Sequence, residues 1–247
     1  TALIVGGGPA GMHASLSLAD RGVPVHLVEK SGELGGYAGN NIESTIDGLT
    51  PKKTAQELKL KVFEHKNIEV HLNTVVEKTV GSLGKFESKI VSTEDEAKQY
   101  LHHGAVIVAS GGQEGKTDEY CYGQSDRILT QGQCKEAITK GELPLDDAQN
   151  IVMIQCVGSR EPAKRAYCSR ICCMWAISNA ISIKEKNPDV RIFILYRDIM
   201  TYGFNEQYYT KARELGIMFV NYSLDNKPVV EIEDGKTFVT FTENILN

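Results

Sequence analysis

Four of the chain's 6 cysteines, Cys156, Cys168, Cys172 and Cys173, fall within one short segment. Thiols gathered this way are candidates for holding a metal or an iron–sulfur cluster, which needs four thiolates around one centre, whereas a disulfide needs two. A second chemical grouping opens the chain. Gly6-Gly7-Gly8-Pro9-Ala10-Gly11 follows the apolar run Ala2-Leu3-Ile4-Val5 and precedes Met12 to Ala19, an Ala/Leu-rich stretch with helical spacing. Glu29 ends the next apolar run, Val23 to Val28, 18 residues after Gly11. In that strand–turn–helix–strand context, Gly6 permits a tight turn and Gly8 lets backbone N–H groups approach a pyrophosphate at the positive helix end. Gly11 lets the helix pack close, and Glu29 would accept hydrogen bonds from ribose hydroxyls. The grouping reads as a dinucleotide site, with FAD and NAD both open. The bland alternative is a glycine turn with a surface glutamate.

The cysteines need elements that aim them. If the stretch Cys168 to Ile183 is helical, Cys168 and Cys172 share a face at i and i+4, and Cys173 is rotated by about 100° from Cys172. Cys156 lies at the carboxyl end of the apolar run from Ile151, so three thiols on a helix can face one from a strand tip. Buried inert thiols, a structural tetrahedral zinc and a redox dithiol compete with the cluster. The paired CxxC knuckles of zinc sites, the two-residue spacing of redox dithiols and the commonest ferredoxin spacing are all missing.

Around these groups the pattern predicts an α/β chain. After Leu34-Gly35-Gly36, a polar-faced helix is expected over Pro51 to His65, then strands at Ile68 to Leu72, Val75 to Thr79 and Lys89 to Ser92 in a more antiparallel region. Gly104 to Gly112 reads as a buried strand ending in a glycine turn, which returns the chain to the first sheet. A loop-rich connector carrying Cys121 and Cys134, both expected to be ordinary thiols, leads to a second α/β series. That series has strands at Ile151 to Cys156, Arg191 to Tyr196 and Met218 to Asn221, and a helix over Glu206 to Leu215. The boundaries are a dinucleotide-binding domain at 1–112 with an antiparallel excursion at 44–103, a connector at 113–150, and a cysteine-bearing Rossmann-like unit at 151–247.

Composition limits the alternatives. The chain has 247 residues, 41% of them hydrophobic, enough for a core without disulfide staples. Its 27 Lys+Arg against 32 Asp+Glu give a net charge of −5, which argues against a nucleic-acid partner. No apolar stretch approaches the ~20 residues of a membrane span, so no direct membrane insertion is expected. The cysteine usage, in a chain too large for a small disulfide scaffold and without a cationic leader, fits a reducing cytoplasm. The chain opens inside an apolar run at Thr1 and stops at Asn247 without an evident terminating element, which reads as a fragment.

The residues also carry resemblances. Glu29-Lys30 followed by Leu34-Gly35-Gly36, and the returning strand with Ser110-Gly111-Gly112, resemble the two-dinucleotide-domain flavoproteins, with Ser110 where threonine is usual. That resemblance implies FAD, with the backbone near Val76 edging the adenine; Val76 as a simple core residue is the alternative. The strings Ile151-Val-Met-Ile-Gln-Cys-Val-Gly-Ser-Arg160, Tyr167-Cys-Ser-Arg-Ile-Cys-Cys173, Leu195-Tyr-Arg-Asp198 and Thr201-Tyr-Gly-Phe204 closely resemble the flavin-bearing A component of heterodisulfide reductases. The related components of quinone-interacting membrane-bound oxidoreductase complexes look equally similar. The match runs with few gaps from Ala2 to about Val239. It implies a thioredoxin-reductase-like fold, FAD and [4Fe–4S] cofactors, and one cluster near the flavin on Cys156, Cys168, Cys172 and Cys173. It also implies partner electron-transfer subunits, and it leaves a homodimer open. An inserted ferredoxin module, frequent in that family, has no counterpart between Gly84 and Gly104, and the family continues past the position of Asn247 with a segment that returns to the flavin domain.

A flavoenzyme of this architecture normally has a second GxGxxG for a nicotinamide cofactor. Here the corresponding loop is Cys156-Val157-Gly158-Ser159, with one glycine, so the second unit reads as a degenerate Rossmann unit. Arg197 is expected to pair with a carboxylate rather than a 2′-phosphate, and His102-His103 to lie in a solvated turn. No Ser-His-Asp set is found and no catalytic nucleophile is expected. The resulting expectation is a relay between a flavin, a cluster and partner subunits. The alternatives are a thioredoxin-reductase-like NAD(P)H-dependent disulfide reductase and a structural scaffold module of a redox complex.

Overall fold

The computed structural model describes residues 1–36, 51–143 and 150–243. The start of the expected excursion at 44–50, the end of the connector at 144–149 and residues 244–247 lie outside the described residues. Two compact units divide the chain, Thr1–Gln113 and Glu114–Asn247.

In the first unit, β1 (Ala2–Val5), β2 (Val25–Val28), β3 (Ile68–His71) and β7 (Ala105–Val108) form a parallel sheet in the order β3-β2-β1-β7. The central runs β1 and β2 are mostly apolar because a helix layer and a second sheet cover their faces, whereas the edge strand β3 alternates Ile-Glu-Val-His. On one face, Ile4, Val25 and Leu27 bury against Met12 and Ala19 of helix α1 (Pro9–Ala19) and Ala55, Leu58 and Val62 of helix α2 (Pro51–Glu64). On the other, Leu3 and Val28 pack with Ile90 and Leu101 of an antiparallel sheet formed by β4 (Thr74–Ser82), β5 (Lys85–Ser92) and β6 (Lys98–His103).

The strand β6 corrects the expected solvated turn at His102-His103. Side chains alternate across a strand, so the pair splits. His102 points outward beside Glu87, 3.6 Å away, while His103 is buried with its Nε2 2.8 Å from Ser88 Oγ.

In the second unit, β8 (Asn150–Ile154), β9 (Arg191–Tyr196) and β10 (Met218–Asn221) form a parallel sheet in the order β10-β9-β8. Its core joins Met153, Ile192 and Ile194 to Ala176, Ile177, Ala180 and Ile181 of helix α4 (Cys172–Lys186). Ile138 of helix α3 (Gln131–Lys140) and Ala212 of helix α5 (Glu206–Glu214) complete it. A hairpin, β11 (Val229–Glu233) with β12 (Lys236–Thr240), turns at Asp234-Gly235, where both residues have positive φ as a two-residue primed turn requires. Helix α3 lies in the stretch expected to be loop-rich. It is started by a capping box in which Thr130 Oγ accepts from the Gln133 N–H while the Gln133 side chain accepts from the Thr130 N–H.

Candidate functional site: a glycine loop and a cysteine loop

The glycine loop joins β1 to α1. Gly6, at φ +109, donates its N–H to Val28 O at 2.8 Å, and a side chain there would strike Ala109 O. Gly11 is equally constrained, since a Cβ would collide with the Gly6 carbonyl. Gly8 differs. It is the N-cap of α1, in ordinary extended geometry, with nothing within 4 Å of an added Cβ. Pro9 occupies the first helical position, where a missing N–H costs nothing, and the N–H groups of Ala10 and Gly11, in the same first turn, have no acceptor within the helix and are free to meet an anion.

Glu29 is buried at the end of β2 and bonded to this loop. Its Oε2 accepts from the Gly7 N–H at 2.6 Å, and its Oε1 from the Ser31 N–H at 2.9 Å and the Ser31 hydroxyl at 2.7 Å. Burial opposes the charge. The hydrogen bonds from Ser31 and Gly7, with Lys30 beside it, outweigh that and hold the carboxyl below the usual carboxylate range. A carboxylate offers about four acceptor sites, so ribose hydroxyls could still be received.

The Leu34-Gly35-Gly36 turn folds onto the same loop: Gly35 N–H donates to Gly7 O at 2.9 Å, and Gly36 lies against the Gly8 backbone. Ser110 follows β7, and its Cα lies within 3.1 Å of where a Gly6 Cβ would sit; Gly111 comes next at φ +67. Lys30 is exposed. Val76 lies on β4 at a bulge, half-buried against the Leu3–Val28 cluster, while the start of that strand is tied to Glu29 by the Thr74 N–H. An open floor at Gly8, free helix-end donors and an oriented carboxylate fit a dinucleotide such as FAD.

The cysteine loop follows β8, and its backbone is unusual. Cys156, Arg160 and Arg170 all have positive φ near 60°, as does Gly158. Residues 156–167 fold back on themselves through Arg160 N–H to Tyr167 O and Glu161 N–H to Arg165 O, at 3.2 and 3.0 Å. The expected helix from Cys168 begins at Cys172 instead. Arg170 is left-handed, which no residue inside a right-handed helix can be, and the Cys168 thiol accepts the Arg170 N–H at 3.3 Å, closing a turn before the helix. Cys168 and Cys172 therefore do not share a helical face. Cys156 and Cys173 are buried, and Cys168 and Cys172 are half-buried.

Cys172 and Cys173 are hydrogen-bonded to each other, and the Cys156 N–H also reaches Cys172. The Cys173 bond, against burial and with help from Ser169, brings the Cys172 thiol down to about 6, while the same hydrogen bond, and then burial, push Cys173 up. No three cysteine sulfurs among the described residues lie within 4.8 Å of one another, so a compact single-ion nest is not formed. A cluster holds its cysteine sulfurs farther apart than one ion does.

Arg197 corrects a second expectation. Its guanidinium bonds the carbonyl oxygens of Cys156, Ser159 and Arg160, holding the loop from inside, and it is Arg160 that pairs with the Asp198 carboxylate. The curled loop turns carbonyls inward, and a planar five-donor group suits several of them at once. Three buried donors at this loop, Gln155 Nε2, Arg160 Nη1 and Arg197 Nε, have no acceptor. Unmet buried donors beside a thiol, with Arg160 also bonding Cys156, suit an anionic sulfur-rich group. Sequence reasoning missed Arg160, Gln155 and Tyr222, whose hydroxyl donates to Gln155 O at 2.5 Å; only position relative to Cys156 could have flagged the first two. Cys134 is half-buried against the helical core, where burial raises it to about 11, an inert thiol, and Cys121 donates to Val230 O.

Residues 2–93 match the FAD dependent oxidoreductase family model. The first of the iron-sulfur A subunits of CoB–CoM heterodisulfide reductase in Methanopyrus kandleri is 28% identical, covering 95% of this chain and 49% of that protein. The A subunit of the ferredoxin/F420H2-dependent CoB–CoM heterodisulfide reductase of Methanosarcina acetivorans is also 28% identical, covering 99% and 42%. The chain spans about half the length of these relatives. The first alignment runs to 330 positions, so it carries long gaps where few were expected. Among solved structures, the thioredoxin reductases of T. acidophilum (TM-score 0.59, 16% identity, 98% of this chain and 74% of that one) and Lactococcus lactis (0.57, 18%, 98% and 74%) share the fold. The chain thus has the α/β two-dinucleotide-domain flavoprotein fold of thioredoxin reductases, and over nearly its whole length its sequence is similar to heterodisulfide reductase A subunits.

Proposed function

We propose that this chain is the flavin- and cluster-bearing part of a heterodisulfide-reductase-type oxidoreductase, an FAD-dependent enzyme component that passes electrons to partner electron-transfer subunits. The observation that carries the reading is the cysteine loop: where a nicotinamide enzyme needs glycines, this chain has a thiol-lined turn with three unmet buried donors. When bound, FAD would supply two-electron chemistry and a [4Fe–4S] cluster one-electron chemistry.

The chain's own residues bind and tune. Gly6, Gly8, Pro9, Ala10 and Gly11 admit the pyrophosphate, Glu29 receives the ribose, and Lys30, Gly35, Gly36, Val76, Ser110 and Gly111 line the FAD site. Cys156, Cys168, Cys172 and Cys173 are the cluster ligands. Arg160 and Arg197 fix the loop that carries Cys156 and place positive charge beside it, which favours thiolate ligands and the reduced form of a cluster.

A second reading, a disulfide reductase using a dithiol, is favoured by one observation, the hydrogen-bonded Cys172–Cys173 pair with its acidified member. Iron, acid-labile sulfide and flavin analysis of anaerobically purified protein separates the two. About four iron and four sulfide per chain with bound FAD supports the relay. A metal-free protein that reduces disulfides with NADPH supports the second reading.

A further inference from the structure

We propose that His26, Glu69 and His71 form a binding site for a divalent transition-metal ion of the zinc class. The site lies wholly in the first unit and does not rest on the flavin or cluster assignments. The parallel register of β2 and β3 builds it: His26 lies directly opposite Glu69, and His71 follows Glu69 by two residues, so all three side chains leave the same face of the sheet. Their ligand atoms lie within 4.8 Å of one another, and they are the only such group among the described residues. His26 Nδ1 is 3.1 Å from His71 Nε2 and 3.2 Å from a Glu69 oxygen, and the other Glu69 oxygen is 3.7 Å from His71 Nε2.

Two physical arguments favour a cation over a plain hydrogen-bonded trio. A neutral imidazole nitrogen carries at most one proton, so Nδ1 of His26 can donate to the carboxylate or to His71 but not to both. A metal at the centre satisfies all three atoms at once. The spacing also fits. Bonds of about 2.0–2.1 Å at tetrahedral angles put ligand atoms roughly 3.3 Å apart, close to the 3.1 Å between His26 and His71 and the 3.2 Å between His26 and the nearer Glu69 oxygen, while the second carboxylate oxygen faces His71. The two imidazoles are largely buried, with side chains 19% and 10% exposed, and Glu69 is 60% exposed, which leaves the solvent side for a water or a fourth ligand. Two imidazoles and one carboxylate suit zinc and its neighbours rather than magnesium or calcium. His103, on the neighbouring antiparallel sheet, is committed to Ser88 and Ala105 O and adds no ligand.

The test is a titration of the full chain, stripped with a chelator, with Co2+ as the zinc probe, read by X-ray absorption and visible spectroscopy. These separate nitrogen/oxygen ligation from ligation by the cysteines. The expected result is one equivalent of cobalt with nitrogen and oxygen ligands, displaced by Zn2+, bound at least tenfold more weakly in Glu69→Gln and lost in His26→Gln. Sulfur-bound cobalt should be the same in all three proteins. Absence of nitrogen/oxygen-ligated cobalt in the unsubstituted chain, or equal affinity in both variants, overturns the site. If His26→Gln fails to fold, Glu69→Gln, altered only at an exposed side chain, decides alone.

Discussion

The carboxylate proposed to receive the ribose, that of Glu29, also holds the glycine loop, and the sequence hints only at the first task. Its place at the end of β2 is what suggests the ribose. Its bond to the Gly7 N–H across 22 residues becomes visible only when β1 and β2 are side by side. A charge-assisted bond to a buried N–H contributes about 1–3 kcal/mol, so Glu29→Gln should lower stability toward urea by that order at pH 7. The sign with pH follows from the lowered carboxyl. The contribution is complete above the range of an unfolded glutamate and disappears as pH falls through the lower folded value, so the difference between the two proteins should shrink on acidification. A gap independent of pH would argue against the charge. Gly8 offers a cleaner separation of fold from ligand. Its φ of −72° and the empty space around an added Cβ mean that Gly8→Leu should fold normally and, purified in the full-length protein, lose its flavin. Undiminished flavin absorbance in that variant would remove the pyrophosphate from this loop. Gly11→Ala, by contrast, forces a Cβ into Gly6 O and should destabilise the unit itself.

At the scale of elements, the parallel strands and the helices with uninterrupted periodicity were legible. The pieces shaped by local backbone chemistry were not. Apolar runs such as Ala2–Val5 and Arg191–Tyr196 declare buried strands because both faces are covered. The start of α4 did not declare itself, because helical spacing of Cys168 and Cys172 looks the same whether or not Arg170 between them is left-handed. Strand β6 was missed because Lys98–His103 is polar on its exposed side, and its inward residues Leu101 and His103 make a short pattern. Helix α3 was legible in principle, since Thr130 and Gln133 have capping-box spacing, and the prediction attached to it is direct. Removing the cap with Thr130→Ala should cost about 0.5–2 kcal/mol in urea unfolding, by leaving the Gln133 N–H unbonded. No change in the unfolding midpoint would mean that the helix is held by Ile138 and Lys135 packing alone.

At the scale of the whole molecule, two Rossmann-like units differ in their first loop, glycine-rich after β1 and cysteine-bearing after β8. The fold and the similarity to heterodisulfide reductase A subunits could be read from those two loops. The loop-holding role of Arg197 could not, since a guanidinium at a strand end serves a phosphate, a carboxylate or a set of carbonyls equally well in sequence. The geometry decides for carbonyls, and with that it withdraws the residue a 2′-phosphate would need. Equilibrium titration with NADH and NADPH should therefore show no saturable site in the second unit in the micromolar range, about −8 kcal/mol or tighter. A micromolar isotherm abolished by changing Arg197 would favour the nicotinamide-linked reading.

The relay itself is tested at Cys172. This residue sits at the first turn of α4, bonded to Cys173 and to the backbone of Cys156, so removing it takes away one proposed ligand and the bonds that join the loop to the helix. The residues proposed to hold FAD include none of these atoms, since all of them lie in the first unit, Thr1–Gln113. Cys172→Ala should accordingly lose most of the iron and sulfide, retain FAD, and no longer pass electrons to partner subunits. If the variant keeps its iron, Cys172 is not a ligand. If the intact protein contains zinc instead, or a centre with no redox response between roughly −700 and +450 mV, the cysteines hold structure rather than electrons.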